Sequence, residues 1–283
     1  MPHHPPRGEI VDHADVFALD LHRALVEQLP EALKKLATAP LAPSNLAVLG
    51  GERGVYQLFE GRQSVYVGKS ELPLAERLEQ HRRRCSGRLN INVDDMAFRC
   101  LYVDRFVDAV SPERILIEKY QAQGLAPWNV QEGFAPKDVG RNRDHGVPGK
   151  WFLDRPVDYL AEVTVLAGGQ AVPLLTAMQG LAKAIPFDLF RYASTRSRSQ
   201  KDRQDAEHDY PGRYVTLPVG PAPIMIHLRT ILEQLPSGWQ ATVLPPGVIL
   251  YKEKLPYHYA LDGWRRTEGG VASLPQGPGV SAT

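Results

Sequence analysis

The sequence predicts a mixed α/β fold, in which a small unit of strands and helices is followed by an α+β accessory region. Two observations lead to this prediction. Between residues 54 and 124, segments rich in β-branched and aromatic residues alternate with segments of helical periodicity, in the order strand, strand, helix, strand, helix. Further helical and strand patterns follow after residue 160. The length of 283 residues suffices for one large domain or two modest ones.

Each element of the small unit has its own signal. The predicted elements are a helix over 15–36 with a kink at Pro30, a hairpin of strands over 54–61 and 63–70, a helix over 73–84, a strand over 96–106 and a helix over 111–124. Proline opens the helix at 73, and Ser111 and Gly124 are a suitable cap and stop for the last one. These elements predict a three-stranded, mainly antiparallel sheet flanked by helices.

The chain changes character beyond Trp128. The predicted features are a glycine-rich basic loop over 133–150, a helix over 171–185, a mobile polar segment over 191–213, a helix over 224–235 and two strands around a Pro-Pro-Gly turn over 239–254. No internal repeat is evident. We divide the chain into an N-terminal helical arm (1–45), the small unit with its loop (46–160), an accessory region (161–266) and a disordered tail (267–283).

The composition is that of an ordinary globular protein. The chain is 43% hydrophobic and 23% charged, and its net charge is +1, so an anion-binding surface must come from local clustering. Two cysteines, Cys85 and Cys100, cannot form a disulfide framework or a zinc knuckle. The chain has no apolar run of roughly 20 residues and no signal-peptide pattern. We therefore expect a cytoplasmic protein without a membrane partner.

The small unit contains the residue types that phosphodiester hydrolysis needs. Such an enzyme requires a base for water, an oxygen ligand for a divalent cation, and positive charge for the pentavalent phosphorus. Arg77 and His81 are four residues apart and share a helix face, within about 6 Å at their Cβ atoms. Lys69 and Arg77 could supply the positive charge, and Glu118 could hold Mg²⁺.

The two strand tyrosines, Tyr56 and Tyr66, could accept the water proton if nearby cations lower a phenol pKa from about 10. Every candidate also has a structural explanation. Tyrosines in strands are usually packing residues, and the cations around Arg77 could form a solvated helix face. Glu118 could form a surface ion pair. Taken singly, none of these residues identifies a function.

The order of the candidates along the chain is more specific. Gly54-Val55-Tyr56 and Tyr66-Val67-Gly68 form two triplets whose tyrosines are ten residues apart, and an R-x-x-x-H pair, Glu118 and PWN at 127–129 follow. This arrangement resembles the GIY-YIG nuclease superfamily. The segments LNINVDDMAFRCLYVD, ERILIEKY and APWNVQEGF further resemble its type II restriction endonucleases that cut GC-rich palindromes. The resemblance extends over roughly residues 15–160.

The chain departs from that restriction branch at two places. The branch carries a longer insertion between the triplets, where this chain has a tight hairpin. Near residue 151 the branch has a Trp-containing segment leading to a His-Pro-Gly-Arg element, where this chain reads WFLDRPVDYL. The target sequence is therefore not carried over, and residues from about 165 onward lie outside the resemblance.

The resemblance implies roles for the residues of the two triplets and the lysine after them. Tyr56 is expected to be the general base or to orient the attacking water. Tyr66 is expected to position the scissile phosphate. Lys69 is expected to lower the pKa of the base and to contact phosphate.

The resemblance also implies roles for the later residues. Arg77 would stabilise the phosphorane, and His81 would assist proton transfer or hold the base. Glu118 would be the only protein ligand of one Mg²⁺, for which Mn²⁺ could substitute, and Asn129 would hydrogen-bond near the metal or the phosphate. A single carboxylate suits Mg²⁺, because this ion keeps most of its water ligands.

Two basic clusters are predicted to contact DNA, one on the 73–84 helix and beyond it, the other in the glycine-rich loop. Their members are Arg82, Arg83, Arg84, Arg88, Lys137, Arg141, Arg143 and Lys150. Clustered cations suit phosphates, and arginines suit guanine edges. The alternative is a solvated surface. The mixed charges of 190–213 favour a flexible segment over a DNA clamp, and the region beyond 214 could be a target-reading module, a dimerisation arm or a packing extension.

These inferences predict a Mg²⁺-dependent endonuclease for double-stranded DNA, of the type II restriction kind. A homodimer would suit a palindromic GC-rich site, and a cognate DNA methyltransferase would act on the same site. Two alternatives stay open. One is a modification-dependent or other defence nuclease that uses residues 161–266 as its sensor, and the other is a catalytically silent DNA-binding protein that retains the fold.

Overall fold

A computed structural model describes residues 21–103, 117, 120, 122–130, 134, 146–165 and 169–280, with side chains from residue 27 onward. The predicted mixed α/β class is confirmed. Within the described residues, an N-terminal unit is built around a four-stranded sheet, and a C-terminal unit around a five-stranded sheet and two smaller strand pairs. No helix in these ranges is long and apolar enough to cross a membrane.

The N-terminal sheet has one strand more than the three predicted. β2 (Gly54–Glu60) and β3 (Gln63–Ser70) form the expected antiparallel hairpin, and β4 (Met96–Tyr102) pairs with β2 on its other side. The additional strand, β1 (Ala39–Pro40), pairs with β4 and gives the order β1-β4-β2-β3. A two-residue edge strand that contains proline carries no strand signal in the sequence, which explains the miss.

Helices cover both faces of this sheet. α1 (Leu21–Lys34) contains Pro30, α2 is Pro43–Leu46, and α3 (Leu74–Cys85) begins after Pro73, close to the predicted bounds. Leu74 and Leu78 of α3 pack with Tyr56, Leu58 and Tyr66. On the other face, Leu33 and Tyr120 pack with Val55 and Val67. Successive residues of a strand point to opposite faces, so Tyr56 faces α3 and its neighbour Val55 faces α1.

The C-terminal sheet has the order β13-β12-β10-β11-β7. Its strands are β7 (Phe190–Tyr192), β10 (Trp239–Leu244), β11 (Gly247–Lys252), β12 (Asp262–Thr267) and β13 (Gly270–Ser273). The hairpin around Pro245-Pro246 is confirmed. α4 (Lys150–Asp154) still belongs to the N-terminal core, where its Trp151 and Phe152 are buried. The C-terminal helices are α5 (Leu174–Ala184), α6 (Gln200–Asp209) and α7 (Ile224–Glu233), of which α5 and α7 match predicted helices.

Two predictions for this half of the chain are wrong. The segment 191–213, predicted to be mobile, contains α6, whose buried Asp209 accepts hydrogen bonds from Trp239 Nε1 and Lys252 Nζ, each at 2.8 Å. The tail 267–283, predicted to be disordered, contains β13, and the described residues continue to 280. In both cases polar composition wrongly predicted disorder, because a few buried side chains and strand pairings hold these segments in place.

The C-terminal unit also contains a structural repeat. β5 (Glu162–Val163), β6 (Ala171–Pro173) and α5 correspond to β8 (Tyr214–Thr216), β9 (Ala222–Pro223) and α7. The two copies exchange strands, because β5 pairs with β9 and β6 pairs with β8. The hydrogen bond from Leu174 N to Arg213 O has its counterpart from Ile224 N to Ala161 O. The expectation of no repeat is therefore wrong. The repeat leaves little trace in the sequence, because the two copies share only short motifs such as Val-Thr and a proline before each helix.

Candidate active site

Tyr56 is the centre of a buried polar cluster between β2 and α3. Its hydroxyl lies 2.7 Å from Nε2 of His81 and accepts a hydrogen bond of 3.1 Å from Nε of Arg77. The spacing of four residues places Arg77 and His81 on the face of α3 that meets β2. Tyr56 and His81 are fully buried, whereas Arg77 is partly exposed. The cluster therefore reaches the surface along Arg77.

The second triplet completes the same cluster. The ring of Tyr66 lies 6.0 Å from that of Tyr56 and 5.3 Å from that of His81, between centroids. Gly68 pairs with Tyr56 across the hairpin, and a Cβ atom at Gly68 would lie only 2.6 Å from the Tyr56 hydroxyl oxygen. A glycine inside a strand marks a close approach of this kind. The triplet glycine thus leaves the room that the Tyr56 hydroxyl occupies.

The electrostatics of Tyr56 differ from the expectation. Burial, assisted by the neighbouring Tyr66, raises the pKa of Tyr56, and the opposing effect of Arg77 does not offset it. The ammonium of Lys69, expected to lower this pKa, instead lies 2.8 Å from the carboxylate of Glu71. The structure therefore favours Tyr56 as a protonated phenol and not as a phenolate held by nearby cations.

His81 is shifted towards its neutral form. Burial, followed by the positive charges of Arg77 and Arg84, lowers the pKa of His81 well below its ordinary value. A neutral imidazole has one ring nitrogen free to accept a proton. Next to a protonated phenol at 2.7 Å, it is placed to act as a proton acceptor.

Asn129 holds the Pro127–Asn129 turn onto the edge of β3. Its side-chain oxygen accepts a hydrogen bond from Val67 N at 2.9 Å, and its Nδ2 donates to Val67 O at 2.7 Å. The amide therefore pairs with β3 next to Tyr66 and Gly68. The predicted contact of Asn129 with a metal or a phosphate stays a prediction.

Phe134 belongs to the site although no pattern in the sequence singles it out. Its ring stacks on that of His81 at 5.0 Å with an interplanar angle of 16°, and its edge meets Tyr66 at 4.8 Å. Its carbonyl accepts a hydrogen bond of 2.6 Å from Arg84. The segment APWNVQEGF was assigned by resemblance only, and an aromatic at the end of a turn-rich segment gives no local signal that it would meet a helix 50 residues earlier.

Four predicted site residues lie outside the described residues, namely Glu118, Lys137, Arg141 and Arg143. The described neighbours of Glu118, Ile117 and Tyr120, pack on the sheet face that carries Val55 and Val67. Within the described ranges, no three His, Cys, Asp or Glu side chains are grouped as metal ligands.

The remaining predicted DNA contacts fall into two groups. Arg83 is exposed, Arg82 makes two hydrogen bonds to the Glu79 carboxylate, and exposed Lys150 pairs with Asp154 at 2.8 Å. These three can turn to a ligand at little cost, because exposed ion pairs contribute about 0–1 kcal/mol.

Arg84 and Arg88 instead join the two units. The buried Arg88 guanidinium donates to the Arg84, Arg155, Pro245 and Pro246 carbonyls and pairs with Asp188 at 3.2 Å. Arg84 pairs with the same carboxylate at 3.0 Å. Because the Arg88 side chain is fully enclosed, we assign it a structural role instead of the predicted DNA contact. It fastens the end of the site helix α3 to the β10–β11 turn.

No protein-family model matches the chain, and no curated protein matches it significantly. Any function assigned to the site therefore rests on its geometry and on the order of its motifs along the chain. Around Tyr56 the structure gathers a phenol, a neutral imidazole and a guanidinium within hydrogen-bonding distance. This set can remove a proton from a hydroxyl or water and stabilise an anion beside it.

Proposed function

We propose that this protein is a Mg²⁺-dependent endonuclease that hydrolyses phosphodiester bonds of double-stranded DNA with the chemistry of the GIY-YIG nucleases. The observation that carries the proposal is the contact of the Tyr56 hydroxyl with both His81 and Arg77 beside the second triplet. Burying such polar groups is unfavourable unless they are paired, so packing alone does not account for them.

The hydrogen bonds favour a relay instead of a free phenolate. A guanidinium can only donate, so the Tyr56 oxygen accepts from Arg77 while its own proton can go to Nε2 of neutral His81. A water that is attacking phosphorus can then give its proton to the Tyr56 oxygen while Tyr56 passes its proton to His81. The base is thus the Tyr56–His81 pair, which explains how a phenol with a raised pKa can take part.

The phosphate is held by residues at the open side of the cluster. Arg77, partly exposed next to Tyr56, is placed to stabilise the charge that develops on the phosphorane oxygens. Tyr66 positions the scissile group, and Lys69 can exchange its exposed partner Glu71 for a phosphate oxygen.

Bound Mg²⁺ would supply Lewis-acid stabilisation of the phosphate charge. The side chains hydrogen-bonded to Tyr56 are an imidazole and a guanidinium, which are not ligands that Mg²⁺ prefers. The carboxylate ligand must therefore come from another part of the chain, and Glu118 is the residue expected to hold the ion.

We also propose that the enzyme is of the type II restriction kind. One such site per chain requires two chains for a double-strand cut, and a two-fold homodimer suits a palindromic, GC-rich target. A cognate methyltransferase would protect the host copy of that target. Support for this finer assignment comes from the resemblance of the segments that surround the triplets.

The test is plasmid cleavage by the wild type, by Tyr56→Phe and by Glu118→Ala in Mg²⁺. We expect both variants to lose at least 100-fold in rate, because each lacks a group needed for the transition state. Tyr214→Phe is the matched control. Because Tyr214 is exposed in the C-terminal unit, this variant should cut at the wild-type rate. EDTA should stop cleavage, and added Mg²⁺ should restore it.

The proposal would be overturned if purified wild-type protein left DNA intact in Mg²⁺ and Mn²⁺, or if Tyr56→Phe cut at the wild-type rate. Sequencing the ends of cut plasmid tests the restriction assignment separately. Ends at one palindromic sequence support it. Cleavage that requires modified DNA supports the alternative of a modification-dependent nuclease.

A further inference from the structure

A short arginine-bearing turn connects β7 to α6 in the C-terminal unit. Its conformation is fixed by hydrogen bonds from Ser194 N to Ser197 Oγ at 3.0 Å and from Ser197 N to Ser194 O at 3.0 Å. The guanidinium of Arg203 also donates to the Ser197 and Arg198 carbonyls, at 2.8 and 3.0 Å. The turn is therefore held from both sides, and Arg196 and Arg198 project from it exposed to solvent.

The charges near this turn are unevenly paired. Lys201 lies 2.7 Å from the Asp205 carboxylate, and Lys252 lies 2.8 Å from that of Asp209. Within the described residues, Arg196 and Arg198 have no carboxylate within 4.0 Å. The nearby carboxylates of Asp202 and Glu253 are buried, and that of Glu253 accepts a hydrogen bond of 2.6 Å from the Tyr257 hydroxyl. Two cations on a rigid support are left to solvent.

Lys254 adds a third cation to this surface. β7 and β11 are parallel neighbours, so the residues that follow the two strands leave the sheet at the same end. The side chain of Lys201 reaches the Lys252 carbonyl at 2.6 Å, which places the start of α6 next to the end of β11. Exposed Lys254 follows two residues later. We call Arg196, Arg198 and Lys254 the basic edge.

Helix stability does not explain the two arginines. Arg198 immediately precedes Ser199, the N-cap of α6, and Arg196 lies two residues before Arg198; a cation at a helix N-terminus opposes the helix dipole. Lysine and arginine are normally placed at the opposite end of a helix. A ligand that carries negative charge is therefore a better explanation than local structure.

The basic edge is within reach of a duplex bound at Tyr56. Arg84, three residues after His81 on α3, pairs with Asp188 at 3.0 Å, and β7 begins two residues after Asp188. At about 3.3 Å per residue, the eight residues from Asp188 to Arg196 span at most about 26 Å. With about 5 Å along α3 and the length of the Arg84–Asp188 ion pair added, the turn lies within about one and a half 34 Å helical repeats of DNA from His81.

We propose that the basic edge binds the sugar-phosphate backbone of the same DNA that the Tyr56 site cuts, and so makes the C-terminal unit part of the DNA-binding surface. This inference rests on the proposed nuclease function. The contact would be independent of sequence, because it consists of cations on a fixed turn and not of groups aimed at base edges.

The experiment measures DNA affinity against salt concentration by fluorescence anisotropy, with all variants in the Tyr56→Phe background to prevent cutting. Arg196→Ala/Arg198→Ala should weaken binding roughly tenfold at 0.1 M salt and reduce the slope of log K against log salt by nearly two. Arg196→Lys/Arg198→Lys keeps both charges and should retain the slope. The control, Lys34→Ala/Lys35→Ala, removes exposed charges from α1, which packs on the sheet face opposite Tyr56, and should leave binding unchanged.

Unchanged affinity and slope in the folded Arg196→Ala/Arg198→Ala protein would overturn the inference. Tyr56-dependent cleavage would then still support the nuclease itself. If instead the wild-type protein neither bound nor cut DNA, the proposed function would fail, and the inference with it. An equal loss of DNA affinity in Arg196→Lys/Arg198→Lys, which retains both charges, would also overturn the inference. The arginine side chains would then be needed for the turn and not for their charge.

Discussion

The two units of this molecule bury polar groups for different ends. In the C-terminal unit, buried Asp209 accepts hydrogen bonds from Trp239, Lys252 and His208, and buried Gln240 accepts from Arg265. These groups tie loops and helices to the sheet. In the N-terminal unit, buried Tyr56 bonds both to buried His81 and to the partly exposed Arg77, which leads to the surface.

The buried polar groups of the C-terminal unit therefore serve its structure, whereas those of the N-terminal unit suit the proposed reaction. The core of the C-terminal unit is a single large apolar cluster. Its buried polar side chains hold neighbouring segments together, as where the fully buried His227 lies 3.0 Å from the Val163 carbonyl oxygen. The N-terminal unit instead places a phenol and an imidazole in the middle of its core, beside Phe134 and Leu78. Polar groups are buried only when they are paired, and this pairing in the middle of a core is best explained by the proposed reaction.

The largest effect is expected where the two units meet. Arg88→Met would leave Asp188 and the Pro245 and Pro246 carbonyls without their buried donor. Breaking a buried ion pair from one side usually costs about 3–5 kcal/mol, so we expect a loss of this size in the free energy of unfolding. Urea titration followed by tryptophan fluorescence measures it.

Arg83→Met, five residues earlier and exposed, is the matched control and should change the free energy of unfolding by less than about 0.5 kcal/mol. Equal stability of the two variants would show that Arg88 does not fasten the units. A loss in Arg88→Met that leaves cleavage per folded molecule unchanged would show that α3 keeps its geometry without the C-terminal unit.

The next effect compares two buried phenylalanines. Phe134→Leu keeps an apolar side chain but removes the ring stacked on His81, so we expect a roughly tenfold fall in kcat, little change in KM and a shifted pH–rate profile. Phe187→Leu makes the same change in the C-terminal core. It should cost similar stability and leave kcat unaltered. Equal kcat losses in both would make Phe134 an ordinary core residue.

The sequence was sufficient for the elements whose signals are local. The β2–β3 hairpin, α3 after Pro73, and the hairpin around Pro245-Pro246 all have alternating or helical patterns bounded by turn residues. β1 and the strand-exchanging repeat depend on partners far along the chain. Pairing of that kind leaves almost no trace in two- or three-residue strands.

The candidate site divides in the same way. The spacing of four residues between Arg77 and His81 predicts a shared helix face, and the two meet Tyr56 there. The burial that raises the pKa of Tyr56, the Phe134 ring and the enclosure of Arg88 all depend on tertiary packing. A basic run such as Arg82–Arg84 looks uniform in the sequence although one member joins the two units.

The smallest effect concerns pH. Burial lowers the pKa of His81 in the folded protein well below the value of about 6.5 that it has in the unfolded chain. The unfolded state therefore binds a proton first, so this contribution to stability is complete above pH 6.5 and is lost as the pH falls below it. Between pH 7.5 and 5.5, His81 should account for at most about 1.4 kcal/mol of lost unfolding free energy.

Urea titrations at the two pH values measure this loss in the wild type and in His81→Gln, which cannot take up the proton. The variant is expected to lose less than the wild type on acidification, by up to about 1.4 kcal/mol. His258→Gln, which removes an exposed imidazole of the C-terminal unit, should follow the wild type. If His81→Gln also lost as much as the wild type, His81 would be protonated as readily in the folded protein as in the unfolded chain. The buried cluster would then not hold His81 in its neutral form below pH 6.5.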